Sequence, residues 1–204
     1  MLQHPAAVRA AFEEAARTFL TTVRAVEDHQ WALPSGIGAW NVRELTAHAL
    51  RAFTTIELYA SAEPTVDRPM ADAAEYYRVA LADPSVHAGV ARRAHDAGAQ
   101  LDDPVGESEA TAERVLALSA STDDDEPINT FAGQITFSEY LLTRTVELGV
   151  HTLDLQRACG QRPQIHGLTA TAVLGVLGEL ADPARLILAL TGRQDLPAGY
   201  NVLG

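Results

Sequence analysis

Glu147 and His151 stand four residues apart in a segment, Phe137 to Cys159, whose apolar pattern is that of one long helix. One helical turn separates them, so a carboxylate and an imidazole project side by side and can bind a single cation. At about 100° per residue, Arg144, Glu147, His151 and Asp154 fall within roughly 80° of one another. Leu141, Leu142, Val146, Val150 and Leu153 occupy much of the remaining surface. A helix this apolar is a buried one, and burying ionisable groups is costly unless something of opposite charge meets them. A Glu-x-x-x-His pair alone is commonly no more than a surface ion pair, so the reading needs a third ligand. His48 supplies the candidate, in Leu45-Thr46-Ala47-His48-Ala49, at the edge of the inward face of another predicted helix.

Two imidazoles and one carboxylate make the ligand set of catalytic zinc sites, in which three protein donors leave a position open. A structural zinc site usually has four donors, commonly several thiolates, and the chain has one cysteine. Nickel and iron(II) suit the same donors, so the metal's identity stays open. On the same stripe, Arg144 either receives the carboxylate of a substrate or thiol, or pairs with Glu147 or Asp154. Asp154 either orients an imidazole ligand or bridges to Arg157 or Arg144.

The elements that must position these residues read as helices. A stripe of Val8, Phe12, Ala15, Ala16, Phe19, Leu20, Val23 and Val26 predicts a helix over 5–28. Asn41 with Glu44 forms a capping-box pattern that opens a helix to about Ala62. Pro64 and Pro69 interrupt the pattern before a helix near 71–81. Asp83-Pro84 reads as a cap and first-turn proline opening a helix over 84–101, and a short helix follows over 107–119. Ser121 to Thr136 reads as a polar loop. Gly160 stops the long helix, and 168–180 and 183–190 are again helical before an irregular tail, 191–204. The expectation is a single all-α domain, 1–204, in which 5–28, 41–62, 84–101 and 137–159 form a four-helix bundle carrying shorter helices.

Composition narrows the function. The 204 residues include 47% hydrophobic and 21% charged residues, as in a soluble globular protein. Every cationic side chain among the 15 Lys+Arg is arginine, a bias of GC-rich, actinobacterial-type genomes. A net charge of -12 repels phosphate backbones, which excludes nucleic acid as a partner. No signal-peptide pattern or membrane-length apolar run is present, so the expectation is a cytoplasmic monomer or homodimer that does not engage membranes. Cys159 reads as a packing residue. Trp31 and Trp40 read as packing residues in a loop that can line a pocket mouth. His87 and His95 read as a solvated face, and His4, His29 and His166 as unremarkable positions in loops or at helix ends.

Two blocks carry a family resemblance. The first is Trp31-x-x-Pro34-Ser35 followed by Trp40-Asn41-Val42-Arg43-Glu44-Leu45-x-x-His48. The second is Gly133, then Tyr140-x-x-x-Arg144-x-x-Glu147-x-x-x-His151-x-x-Asp154-Leu155, then Gly160, and Leu190-Thr191-Gly192-Arg193 is also similar. Together they resemble the DinB-like metalloenzymes, most closely the mycothiol-dependent maleylpyruvate isomerase type. The resemblance implies a DinB-like four-helix bundle holding a divalent metal, usually zinc, on the positions of His48, Glu147 and His151. It also implies mycothiol as co-substrate, with a small electrophile as the second partner. A metal-held thiol is deprotonated, hence strongly nucleophilic at neutral pH, and serves S-transfer or cis–trans isomerisation. The isomerase itself resembles a two-domain protein, whereas about 44 residues follow Gly160 here, so maleylpyruvate is not carried over as substrate. Two other classes stay open: a hydrolase using zinc-activated water, and a non-enzymatic helical binding protein whose metal site is structural or empty.

Overall fold

The computed structural model describes residues 4–63, 67–82 and 85–203, without the side chains of 85–88. Among the described residues eight α-helices follow one another: α1 (Pro5–Arg24), α2 (Val42–Ala60), α3 (Ala73–Ala80), α4 (Ser85–Gly98), α5 (Pro104–Ser121), α6 (Phe137–Ala158), α7 (Gly167–Leu180) and α8 (Pro183–Leu190). Pro64 and the Asp83-Pro84 cap lie outside the described residues. Among these residues no helix is long and apolar enough to cross a membrane.

Local chemistry sets the helix ends. Asn41 accepts from the Glu44 amide and Glu44 reaches back to the Asn41 amide, each at 2.9 Å, so the expected capping box starts α2. Asp103 caps α5 and Thr136 caps α6 through the amide three residues on. The first helix stops at Arg24, four residues short of the expected boundary, and the chain turns through a 3-10 segment, Asp28–Gln30.

The bundle is a ring in which α1 and α2 each pack against both α5 and α6. The two helices on the diagonal meet through aromatic rings: Phe53 of α2 lies 5.8 Å from Phe12 and 6.0 Å from Phe19 of α1, centroid to centroid. The fourth member is therefore α5, not the helix expected over 84–101. The reason is steric. Pro104, Ser108, Thr111, Ala112, Val115 and Ser119 form a buried stripe at helical spacing. Small residues give that stripe little hydrophobic signal but let two neighbouring helices approach closely. α4 instead lies mainly on α2, where Gly98 sits so near Glu44 that a Cβ would fall 2.7 Å from its Cγ.

The segment expected as a polar loop contains the two described strands, β1 (Pro127–Thr130) and β2 (Gly133–Thr136), paired antiparallel with Ile128 opposite Ile135. Both isoleucines are buried. The hairpin was hidden because each strand is four residues long, too short for alternation to show. Its far strand leads directly into α6, which also contacts α1, α2, α3 and α7. The helix bearing Glu147 and His151 is thus the central element of the fold.

Candidate metal centre

Three side chains from the two expected stretches converge where α2 faces α6. Glu147 Oε2 lies 3.5 Å from His151 Nε2 and 4.0 Å from His48 Nε2. One ligand atom from each residue lies within 4.8 Å of the other two. A tetrahedral cation with bonds of about 2.0–2.1 Å holds its donors roughly 3.3–3.5 Å apart. The edge within α6, at 3.5 Å, already has that length, and the edge between the helices, at 4.0 Å, exceeds it by about half an ångström. The side chains of His48, Glu147 and His151 are 13%, 25% and 15% exposed, so the cluster is mostly buried but keeps some exposed surface.

The surroundings bias each group. Burial, and then His151, push His48 down to about 4, so its imidazole is neutral, the form that ligates a cation. Its Nδ1 is buried and has no hydrogen-bond partner among the described residues. Burial alone would also lower His151, but hydrogen bonds to Asp154 and Glu147 outweigh it and raise this imidazole to about 9. Glu147 moves the other way: burial opposes its charge, yet His151 and Arg144 hold it well below the usual carboxylate range. Without a metal the cluster is therefore a carboxylate shared between one charged and one neutral imidazole. A divalent ion fits by displacing the His151 proton.

Asp154 Oδ2 lies 3.2 Å from His151 Nδ1, on the ring edge away from Glu147. The structure brings Asp154 to the imidazole, and neither Arg144 nor Arg157 pairs with it among the described residues. Arg144 departs from both carboxylate pairings expected for it. It is 7% exposed, and its guanidinium carbon sits 4.8 Å from the centre of the Tyr140 ring and 5.7 Å from that of Tyr76. Its Nε and Nη1 donate to the hydroxyls of Thr143 and Thr55 at 3.0 and 3.4 Å. A long side chain is not confined to its own helix face, and Arg144 reaches across to α2 and α3.

Sequence reasoning missed Tyr77. This buried residue of α3 places its hydroxyl 2.9 Å from Glu147 Oε1 and 3.0 Å from the Thr143 carbonyl. Nothing in the spacing could reveal it, because α3 is a short helix whose docking on α6 is tertiary. Trp40 lies half-buried with its ring 4.8 Å from that of His48, so the loop before α2 does border the site. Cys159 is buried, and burial raises its thiol, as suits a packing residue. His95 is exposed and pairs with Glu44 at 2.6 Å, while the His87 side chain lies outside the described residues. A groove of about 430 Å³, lined by Arg17, Thr22, Gln156 and Arg162 among others, contains none of the three ligand candidates.

The family model for the mycothiol maleylpyruvate isomerase N-terminal domain matches residues 12–156. That is more than two thirds of the chain and includes every residue of the cluster; the chain belongs to this family. No curated protein and no solved structure matches it.

Proposed function

We propose that this member of the family is a metal-dependent enzyme that directs a low-molecular-weight thiol, mycothiol, onto a small electrophile. His48, Glu147 and His151 hold the divalent metal, zinc before nickel or iron, and the exposed side of the cluster admits the thiol. When bound, the ion supplies the Lewis acidity that keeps a thiol deprotonated near neutral pH. The protein's own groups do the rest. Asp154 fixes the ring orientation of His151, Tyr77 holds the second oxygen of Glu147 away from the cation, and Trp40 with the bundle wall limits water. Attack of the thiolate on the electrophile, with a leaving group such as halide expelled or a proton taken up at the adjacent carbon, gives S-transfer; reversible addition followed by departure of the same thiolate gives cis–trans isomerisation. Such a co-substrate places the enzyme in the reducing cytoplasm.

The observation that carries this reading is the convergence of two imidazoles and a carboxylate from α2 and α6 within 4.8 Å, each of them only partly buried. Elemental analysis of the purified protein tests it, together with conjugation of monochlorobimane in the presence and absence of mycothiol. The expected result is one metal per chain, lost in His151→Ala, and turnover only with the thiol. Metal-dependent turnover that ignores the thiol would replace the reading with a hydrolase. A protein that binds no metal would sink both.

A further inference from the structure

The groove of about 430 Å³ lies between α1 and the connection from α6 to α7, and none of the ligand trio lines it. Local rules build its walls. Gly160, at φ 68°, turns the chain out of α6, with the Gln161 backbone amide donating to the Gln156 carbonyl at 2.8 Å. Residues 161–166 then run to α7 without helix or strand. Glutamine side chains, not apolar packing, tie this connection to α1. Buried Gln156 donates to Thr22 Oγ1 at 3.1 Å and accepts from the Gln164 backbone amide at 2.7 Å. Gln161 donates to the Thr22 carbonyl at 3.2 Å. The walls are thereby fixed, and the space between them has the volume of a small-molecule site.

The other groups of the lining are donors without acceptors. Among the described residues, no hydrogen bond or ion pair engages the Arg162 guanidinium, the His166 ring or the Gln164 side chain. His166 occupies the N-cap position of α7, yet its ring caps nothing. Arg17, on the α1 wall, meets Glu13 at 3.6 Å with both side chains exposed, a contact that contributes little. No carboxylate lines the groove, although the chain has 27 Asp+Glu against 15 Lys+Arg. It is therefore a cationic spot on an acidic molecule, and it attracts anions that the net charge repels elsewhere. The threonines are complementary. Thr18 and Thr21 donate their hydroxyl protons to the Glu14 and Arg17 carbonyls, each at 2.9 Å, so toward the groove their oxygens only accept. A ligand that satisfies both sets carries an anion for the arginines and hydroxyl donors for the threonines. A phosphate monoester has a charge of about −1.5 to −2 near pH 7, which matches two guanidiniums. Its tetrahedral oxygens can be met from two walls at once, whereas a carboxylate offers one charge in one plane.

We propose that this groove binds a phosphorylated sugar or polyol, with Arg17 and Arg162 on the phosphate and Thr18 and Thr21 on the hydroxyls. Neither the metal nor the thiol enters, so the proposal stands or falls apart from the function proposed above. The test is calorimetric titration of the full chain, at fixed ionic strength, with glucose 6-phosphate, glucose, inorganic phosphate and gluconate. Glucose 6-phosphate should bind with a submillimolar Kd, about tenfold tighter than each of the other three. Arg162→Gln and Arg17→Gln should each weaken it about tenfold. Both residues are exposed, so the variants should fold, and unchanged urea midpoints check this. Thr21→Val should weaken glucose 6-phosphate and leave inorganic phosphate unchanged, because only the hydroxyl acceptor is lost. Arg157, exposed and outside the groove lining, supplies the control: Arg157→Gln should bind as the wild type does. An equal loss in Arg157→Gln would reduce the effect to diffuse attraction and overturn the proposal. Inorganic phosphate binding as tightly as glucose 6-phosphate would overturn it too, leaving a simple anion site. Tighter binding of gluconate, or no binding of glucose 6-phosphate at millimolar concentration, would do the same.

Discussion

Tyr77→Phe removes one oxygen from a residue that the ligand motif does not include, and so tests the geometry of the centre directly. The hydroxyl lies 2.9 Å from Glu147 Oε1 and 3.0 Å from the Thr143 carbonyl, and has a single proton to share. A hydrogen bond to a charged acceptor contributes about 1.5–3 kcal/mol. With the proton divided between two acceptors, the share at Glu147 is about 1–1.5 kcal/mol, roughly a five- to tenfold loss of zinc affinity. Burial, and then Glu147, raise the Tyr77 phenol well above its ordinary range, so it stays a donor throughout the working pH range. The loss should therefore be the same at pH 6.5 and pH 8.5, relative to wild type at each pH. Competition with a chromophoric chelator measures the affinity, and urea denaturation of the metal-free variant measures the stability. An affinity within twofold of wild type would refute the claim that this hydroxyl holds Glu147 in place.

The metal-free protein should have a stability maximum near pH 6.5. Burial opposes the charge on His151, but the hydrogen bonds it donates to Asp154 and Glu147 raise it from 6.5 to about 9, so its stabilisation is complete below pH 6.5 and is lost as pH climbs through 9. His48, lowered by burial and then by His151 to about 4, acts oppositely: the unfolded chain gains a proton below pH 6.5 that the folded one refuses until about 4. Urea midpoints of chelator-treated protein should fall on both sides, and a flat profile from pH 6.5 to 9 that matches His151→Asn would contradict the shift. Asp154→Asn should weaken zinc binding about tenfold, the low end for partners of a ligating histidine, because the contact is long at 3.2 Å; unchanged affinity would return Asp154 to a merely structural role. Gly133→Ala should destabilise the fold by about 1–3 kcal/mol. Gly133 has φ 143°, and an added Cβ would meet the Arg68 carbonyl at 2.3 Å. Thermal melting at wild-type values would show that the hairpin adapts.

What could be read from residue order follows from local periodicity. The four-residue spacing of Glu147 and His151 fixes their common direction once α6 forms, and the Asn41–Glu44 box fixes where α2 begins. The all-α bundle was legible for the same reason, since long apolar stripes at 3.6-residue spacing have one economical packing. The errors arose where tertiary contact decides. α5 takes the fourth place in the ring through Ser108, Thr111 and Ala112, whose value is their small size. Arg144 forms no ion pair with the carboxylates that share its stripe, because the tyrosine rings of α3 and α6 and the hydroxyls of Thr55 and Thr143 engage it instead. Tyr77 enters the site from a helix whose own sequence says nothing of its neighbour.

The two edges measured at the centre differ in origin, and the difference locates its mechanical weakness. The 3.5 Å edge joins residues one turn apart in a helix clamped by α1, α2, α3, α7 and the hairpin, so the backbone of α6 maintains it. The 4.0 Å edge joins α6 to α2, and its length depends on how those helices pack. A cation that draws the three donors together must therefore move His48 more than Glu147 or His151. The loop from Trp31 to Trp40 and the α4 helix rest on α2. They are the parts of the molecule in which loading of the site should register most strongly, and Trp40, against the His48 ring, is placed to report it.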